Sequence, residues 1–212
     1  MKTPLNYQVT KGDCGTTSLI NALVYLFERE EIPIEVVVYL SSVTPDKVWG
    51  EHALRGGTSA AAMRFLASWL SMYAEQTGFP LSCQYREGSE ISGDIGGAVL
   101  QCIRDGGVAV TGCCLGADHY VLVTGYDEES DCVRVFDPYY DGWPLGELDV
   151  EVVGVKPVDN EPFSCNRLVE RWILDAPAGT PYSLEAKTGR DAVLFWRDEQ
   201  SLPQNSSQNS SQ

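Results

Sequence analysis

The first half of the chain carries apolar residues at helical spacing. In residues 14–31 leucines such as Leu19 and Leu23 recur three or four positions apart, which predicts an amphipathic helix. Asp13 precedes this run and can cap the helix, and Pro33 prevents its continuation. The chain therefore begins with a core helix whose first residue is a cysteine.

Further helices are predicted by the same pattern and by helix-start signals. Residues 33–42 are ambiguous, because their valine run favours a strand whereas proline followed by glutamate favours a short helix, which we prefer. Thr58 or Ser59 caps the next predicted helix, which continues to about Gln76. Residues 94–104 carry apolar residues on one side and predict another helix.

The second half of the chain consists of β-rich runs separated by turn signals. After a short strand near 81–86, the runs "VAVTGCC", "HYVLVTGYD" and "CVRVFDP" predict successive strands, with the acidic "DEESD" as a hairpin turn. Later β-rich stretches lie near 150–156, 167–174 and 191–197. Helices followed by an antiparallel sheet indicate an α+β fold.

Length and composition indicate one globular domain. The chain has 212 residues, 43% of them hydrophobic, which suits a single domain over residues 1–200 with its own core. Residues 201–212 repeat a polar NSSQ unit and predict a disordered tail. No apolar run is long enough for a membrane helix, and the N-terminus has no apolar h-region, so we expect a cytoplasmic protein.

The charge of the chain limits its partners. The formal net charge is −15, which argues against binding to nucleic acid or to an anionic membrane surface. It permits a basic peptide substrate, although solubility is the preferred explanation. The oligomeric state stays open.

The seven cysteines do not form a recognisable framework. Their number is odd and their spacing irregular, and Cys113 and Cys114 are adjacent, which suits neither a relaxed disulfide nor a zinc site. With only two histidines in the chain, a metal site is hard to assemble. We expect free thiols, no metal and no cofactor.

Cys14 is the candidate nucleophile, because unpaired N–H groups at a helix N-terminus favour a thiolate. The neighbouring Gly15 is expected to leave room for a substrate backbone. A nucleophilic cysteine needs a base. We favour His119, at the start of a predicted strand, over His52, which lies in a predicted loop.

Two more residues complete the candidate site. If the strands that carry His119 and Asp137 form a hairpin through residues 127–131, the start of one lies beside the end of the other. Asp137 can then accept a hydrogen bond from His119. Gln8 lies six residues before Cys14 and could donate to an oxyanion together with the Cys14 N–H.

These residues resemble a known family. Gln8, "DCG" at 13–15, "HYVLVTGYD" and "VFDP" occur in the order and spacing of the bacteriocin-processing, or double-glycine, peptidases of the papain-like superfamily. The resemblance covers roughly residues 5–140. It implies a papain-like fold in which a helical part with Cys14 packs on a sheet with His119 and Asp137.

The resemblance also implies a mechanism, in which Cys14 is the nucleophile, His119 the general base, Asp137 its orienting partner and Gln8 the oxyanion donor. We therefore expect a cysteine peptidase or amidase that cleaves a peptide or small amide through a thioacyl-enzyme. An acyltransferase with the same triad and an amine or thiol acceptor is one alternative. A catalytically silent peptide-binding module is the other.

Overall fold

The protein combines helices with one antiparallel sheet, so the predicted α+β class is confirmed. The computed structural model describes residues 1–43, 46, 57–139, 153–159, 161–184 and 186–198. His52, the predicted tail and the whole region from 140 to 152 lie outside these residues. Within them the chain forms four α-helices and a seven-stranded sheet.

The four helices all fall in the first half of the chain. They are α1 (Cys14–Leu26), α2 (Ile34–Val43), α3 (Ala60–Thr77) and α4 (Ala98–Arg104). The preference for a helix over 33–42 is thus confirmed. None of the described helices is long and apolar enough to cross a membrane.

Two helices are shorter than predicted. α1 ends at Leu26 because Phe27 is extended, with φ −116° and ψ 158°, and a separate 3-10 turn covers Arg29–Glu31. α4 begins only at Ala98, after two glycines that favour a turn over a helix. The start of α3 agrees with the prediction, because Ser59 caps the helix by accepting a hydrogen bond from the Ala62 N–H.

The seven strands are β1 (Leu81–Glu87), β2 (Val108–Cys114), β3 (Asp118–Asp127), β4 (Cys132–Phe136), β5 (Val155–Pro157), β6 (Arg167–Glu170) and β7 (Asp191–Arg197). Their order across the sheet is β1-β7-β2-β3-β4-β6-β5, and every pairing is antiparallel. The predicted stretch 167–174 is strand only as far as Glu170, and a 3-10 helix follows at Arg171–Asp175.

The hairpin of β3 and β4 has the predicted register. Asp127 pairs with Cys132 across the turn and Leu122 pairs with Phe136, with an irregularity between Val123 and Gly125. The start of β3 therefore lies beside the residues that follow β4, as the sequence predicted.

Both faces of the sheet are buried. The first hydrophobic cluster packs α1, α2 and α3 on one face, against residues such as Val110, Leu122 and Phe195. The second packs α4 and the segment after β6 on the other face, against residues such as Val121 and Leu194. Alternation of side chains along each strand divides them between the clusters. The sheet is thus a fixed support for groups at its edges and ends.

Candidate active site

Cys14 is the first residue of α1 and is almost fully buried, with 6% of its surface exposed. Burial raises the pKa of its thiol, but the hydrogen bond and charge of His119 and the backbone N–H groups of Tyr120 and Gly15 outweigh burial, so the pKa lies below its ordinary value. Helix N–H groups that lack intrahelical partners supply part of this effect. The Cys14 thiol therefore ionises more readily than an ordinary cysteine thiol.

His119 and Asp137 are hydrogen-bonded, as their hairpin spacing predicted. Nε2 of the imidazole lies 2.8 Å from Oδ1 of the carboxylate, and both side chains are buried. Burial opposes a charged imidazole, but the charge of Asp137 and its hydrogen bond, together with Cys14, raise the pKa of His119 to about 10. Burial likewise opposes ionised Asp137, yet His119, Tyr182 and the Tyr139 N–H hold its pKa below the usual value.

The two ring nitrogens of His119 have different partners. Because Asp137 engages Nε2, Nδ1 is the nitrogen left to interact with the Cys14 thiol. A neutral imidazole can then donate from Nε2 to the carboxylate and accept a proton at Nδ1. The order thiol, imidazole, carboxylate is that of a nucleophile, a base and an orienting group.

Gln8 lies in the segment before α1, close to the Asp137 end of the site. Its backbone N–H donates to the carbonyl of Pro138 at 2.8 Å, which ties this segment to the residue after Asp137. Its side-chain Nε2 donates to the carbonyl of Thr10 at 2.8 Å. An amide nitrogen carries two hydrogens, so the bond to Thr10 occupies one of them. The role of Gln8 as an oxyanion donor stays a prediction.

Asp13 does not cap α1 with its side chain, contrary to the prediction. It occupies the N-cap position without a side-chain cap bond. Its carboxylate instead accepts from the N–H of Val9 at 3.0 Å and from the N–H and hydroxyl of Thr10 at 2.9 and 3.0 Å. Asp13 thereby closes the turn that joins Gln8 to Cys14.

Gly15 has a different role from the one predicted. A Cβ atom at this position would lie 2.3 Å from Oγ1 and 2.6 Å from Cβ of Thr58. The space beside Gly15 is therefore filled by Thr58, just before α3, and is not open to a substrate. The glycine allows α1 and the start of α3 to pack closely beside the thiol.

Three residues that no sequence pattern indicated hold Asp137 in place. The Tyr139 N–H donates to Oδ1 at 2.8 Å and the Tyr182 hydroxyl to Oδ2 at 2.7 Å. Asn166 exchanges two hydrogen bonds with the backbone of Asp137. Asn166 and Tyr182 follow Asp137 by 29 and 45 residues, so no local motif connects them to it.

A cleft of about 300 Å³ lies beside His119. It is bordered by the ends of β2 and β3, by Ala60 at the start of α3 and by the segment from Ala186 to Asp191. Two carboxylates, of Asp118 and Asp191, and several small residues line it. The cleft borders the imidazole, but Cys14 is not among the residues that line it.

Three other cysteines differ from Cys14 in the pKa of their thiols. All seven cysteines are free thiols, as expected, and burial raises the pKa of Cys83, Cys102 and Cys165. Among the residues that the structure describes, no three His, Cys, Asp or Glu side chains are grouped so that they could hold a metal ion.

No protein-family model matches the chain, and no curated protein matches it at a significant level.

Proposed function

We propose that the protein is a cysteine peptidase or amidase with a papain-like arrangement of its functional groups. The observation that carries the proposal is the 2.8 Å hydrogen bond between His119 and Asp137, with the imidazole beside a helix-borne thiol. Fold support comes from the placement of the groups, since the cysteine opens α1 and the imidazole lies on β3.

The opposite pKa shifts of Cys14 and His119 favour a thiolate–imidazolium pair. The pKa of the thiol is lowered and that of the imidazole is raised to about 10. Between these two values the thiol has lost its proton and the imidazole carries one. A thiolate is the nucleophilic form of cysteine, so the lowered pKa of Cys14 favours the reactive form.

In the proposed reaction the Cys14 thiolate attacks the carbonyl carbon of an amide. A C–S bond forms and the carbonyl oxygen becomes an oxyanion. The N–H of Cys14, which lies in the first turn of α1, and the amide of Gln8 are the proposed donors to that oxygen. The tie between Gln8 and Pro138 keeps the Gln8 segment next to the residue that orients His119.

The remaining steps require proton transfer by His119. The imidazolium gives its proton to the leaving nitrogen as the C–N bond breaks, which leaves a thioacyl-enzyme and a free amine. Neutral His119 then takes a proton from water, which attacks the thioester and releases the carboxylic acid. The C–S bond breaks with the sulfur leaving as the thiolate, and the imidazole keeps the proton taken from water, which restores the thiolate–imidazolium pair.

The first test is site-resolved alkylation with iodoacetamide. At neutral pH Cys14 should react faster than Cys114, a partly exposed thiol whose alkylation can be followed in the same digest by mass spectrometry. Cys14→Ala should remove the fast phase, and Cys114→Ser should leave it unchanged. If Cys14 reacts no faster than Cys114, the proposal is wrong.

The second test is turnover of a peptide and amide panel that includes basic residues. Hydrolysis that disappears in Cys14→Ala supports a peptidase or amidase. Product that forms only when an amine or thiol is added assigns the same thioacyl-enzyme to an acyltransferase. If Cys14 is reactive but no acyl adduct forms with any member of the panel, the enzyme proposal is wrong and the protein is a peptide-binding module.

A further inference from the structure

Tyr182 has an unusual backbone conformation close to the candidate triad. Its φ is 66°, in the left-handed region that bulky residues rarely adopt. Its N–H donates to the carbonyl of Cys114 at 2.7 Å, and the Cys114 N–H donates to the Ser183 carbonyl at 2.8 Å. These two bonds fasten the segment to the end of β2. Strained residues of this kind are concentrated at functional sites.

The side chain of Tyr182 ends on the carboxylate of Asp137. It is 2% exposed and donates its hydroxyl proton to Oδ2 at 2.7 Å. The other oxygen, Oδ1, accepts from His119 Nε2 and from the Tyr139 N–H, each at 2.8 Å. Burial and the adjacent carboxylate raise the pKa of Tyr182 well above its ordinary value, so the phenol stays a donor over the working range of pH.

We propose that Tyr182 is a positioning residue that acts on His119 through Asp137 and limits the basicity of the imidazole. This inference depends on the proposed function, because it assigns a role within the same triad. The phenol hydrogen bond spreads the negative charge of Asp137 over Oδ2, which leaves less charge on Oδ1 to stabilise the imidazolium. A less strongly held imidazolium releases its proton more readily to the leaving group.

The electrostatic role and a purely structural role predict opposite results. If the phenol is removed, Oδ1 keeps its two N–H donors, so Asp137 stays beside His119 with more concentrated charge. The pKa of His119 should then rise. If Tyr182 only supported the local fold, its loss would loosen Asp137 from His119, and the pKa of His119 would fall, as it should in Asp137→Asn.

The experiment measures the pKa of His119 by NMR in protein labelled with ¹³C-histidine. The chain has two histidines, and His52→Gln assigns their signals. In Tyr182→Phe the pKa of His119 should rise by about half a unit, the size of a modest change in one charged hydrogen bond. Turnover should fall by no more than about threefold, because a weaker acid protonates the leaving group less readily and half a pKa unit is about a threefold change in acid strength.

The matched control is Tyr126→Phe. Tyr126 also donates its hydroxyl to a carboxylate, that of Asp131, at 2.6 Å, but this pair lies at the far end of the β3–β4 hairpin. This variant should leave the pKa of His119 and the alkylation of Cys14 unchanged. A second variant carries 3-fluorotyrosine at position 182, which keeps the shape of the side chain and strengthens the donor. It should lower the pKa of His119.

An unchanged or lowered pKa of His119 in Tyr182→Phe would overturn the inference. If Tyr182→Phe does not fold, fluorotyrosine decides alone, and an unchanged pKa of His119 in that protein overturns the inference. Failure of the proposed function would give a different result, because iodoacetamide would then alkylate Cys14 of the wild type no faster than Cys114, whatever the pKa of His119.

Discussion

Asn166 and Asp137 hold each other by a reciprocal pair of hydrogen bonds. The Asp137 N–H donates to Oδ1 of Asn166, and Nδ2 of Asn166 donates to the Asp137 carbonyl, each at 2.8 Å. Both residues are buried. The Asn166 side chain, just before β6, thus fixes the backbone of Asp137. The carboxylate of Asp137 separately binds His119.

Asn166→Asp tests how much this pair of hydrogen bonds contributes to stability and to the position of Asp137. The variant keeps an oxygen for the Asp137 N–H but places a second oxygen against the Asp137 carbonyl, where Nδ2 had donated. We expect the free energy of unfolding to fall by about 1–3 kcal/mol, the cost of an unsatisfied buried polar group. Urea denaturation measures this loss, and the pKa of His119 should change with it.

Asn21→Asp is the matched control for that prediction. Asn21 accepts from the Asn6 N–H at 2.7 Å and donates to the Asn6 carbonyl at 2.9 Å, the same pair of bonds at another place. Its variant should lose similar stability while the pKa of His119 stays constant. Equal changes of this pKa in both variants would mean that Asn166 acts only through general stability.

The pH profile should depend on Asp137. The reactive pair exists above the lowered pKa of Cys14 and below the raised pKa of His119, so activity should decline as pH rises through about 10. In Asp137→Asn the charge that opposes the burial of the imidazolium is lost. The pKa of His119 should fall, and the alkaline limb of kcat/KM should move to lower pH. An unmoved alkaline limb would remove Asp137 from the mechanism.

Gln8→Ala should affect turnover but not thiol ionisation. If Gln8 donates to the oxyanion, its loss should lower kcat by about 10²–10³-fold. Alkylation of Cys14 by iodoacetamide creates no oxyanion, so its rate and pH dependence should stay as in the wild type. Equal losses in both assays would show that Gln8 supports the thiol and not the oxyanion.

Gly15→Ala should disturb the start of α1. The new methyl would meet Thr58 at distances that require movement, and overpacking of this kind costs about 1–3 kcal/mol. Thermal unfolding measures the loss, and alkylation shows whether Cys14 moves with the helix. Thr58→Gly removes all three clashing atoms and should restore part of the stability. No recovery in the double variant would mean that a different contact causes the loss.

The candidate triad could be predicted because its signals are local or arise from hairpin geometry. Cys14 stands at a helix start, and the acidic turn between β3 and β4 places Asp137 beside His119. By contrast, Asn166 and Tyr182 reach Asp137 only through the tertiary fold. No periodicity or spacing near them indicates this contact.

The fold was predicted less completely than its class. The class follows from helical periodicity and β-rich runs, but the position of β7 between β1 and β2 does not. Strand pairing over such distances in the chain leaves no local signal. Asp13 shows the same limit on a small scale, because its carboxylate could satisfy either the helix or the preceding turn, and it satisfies the turn.

The position of β7 between β1 and β2 has a consequence for synthesis of the protein. β1 and β2 are joined in the sheet through β7, which pairs with both, and Tyr182 precedes that strand by only nine residues. A ribosome has therefore made the thiol, the imidazole and the carboxylate well before it makes the strand that unites the sheet. The seven-stranded sheet can therefore be completed only after residues 191–197 have emerged.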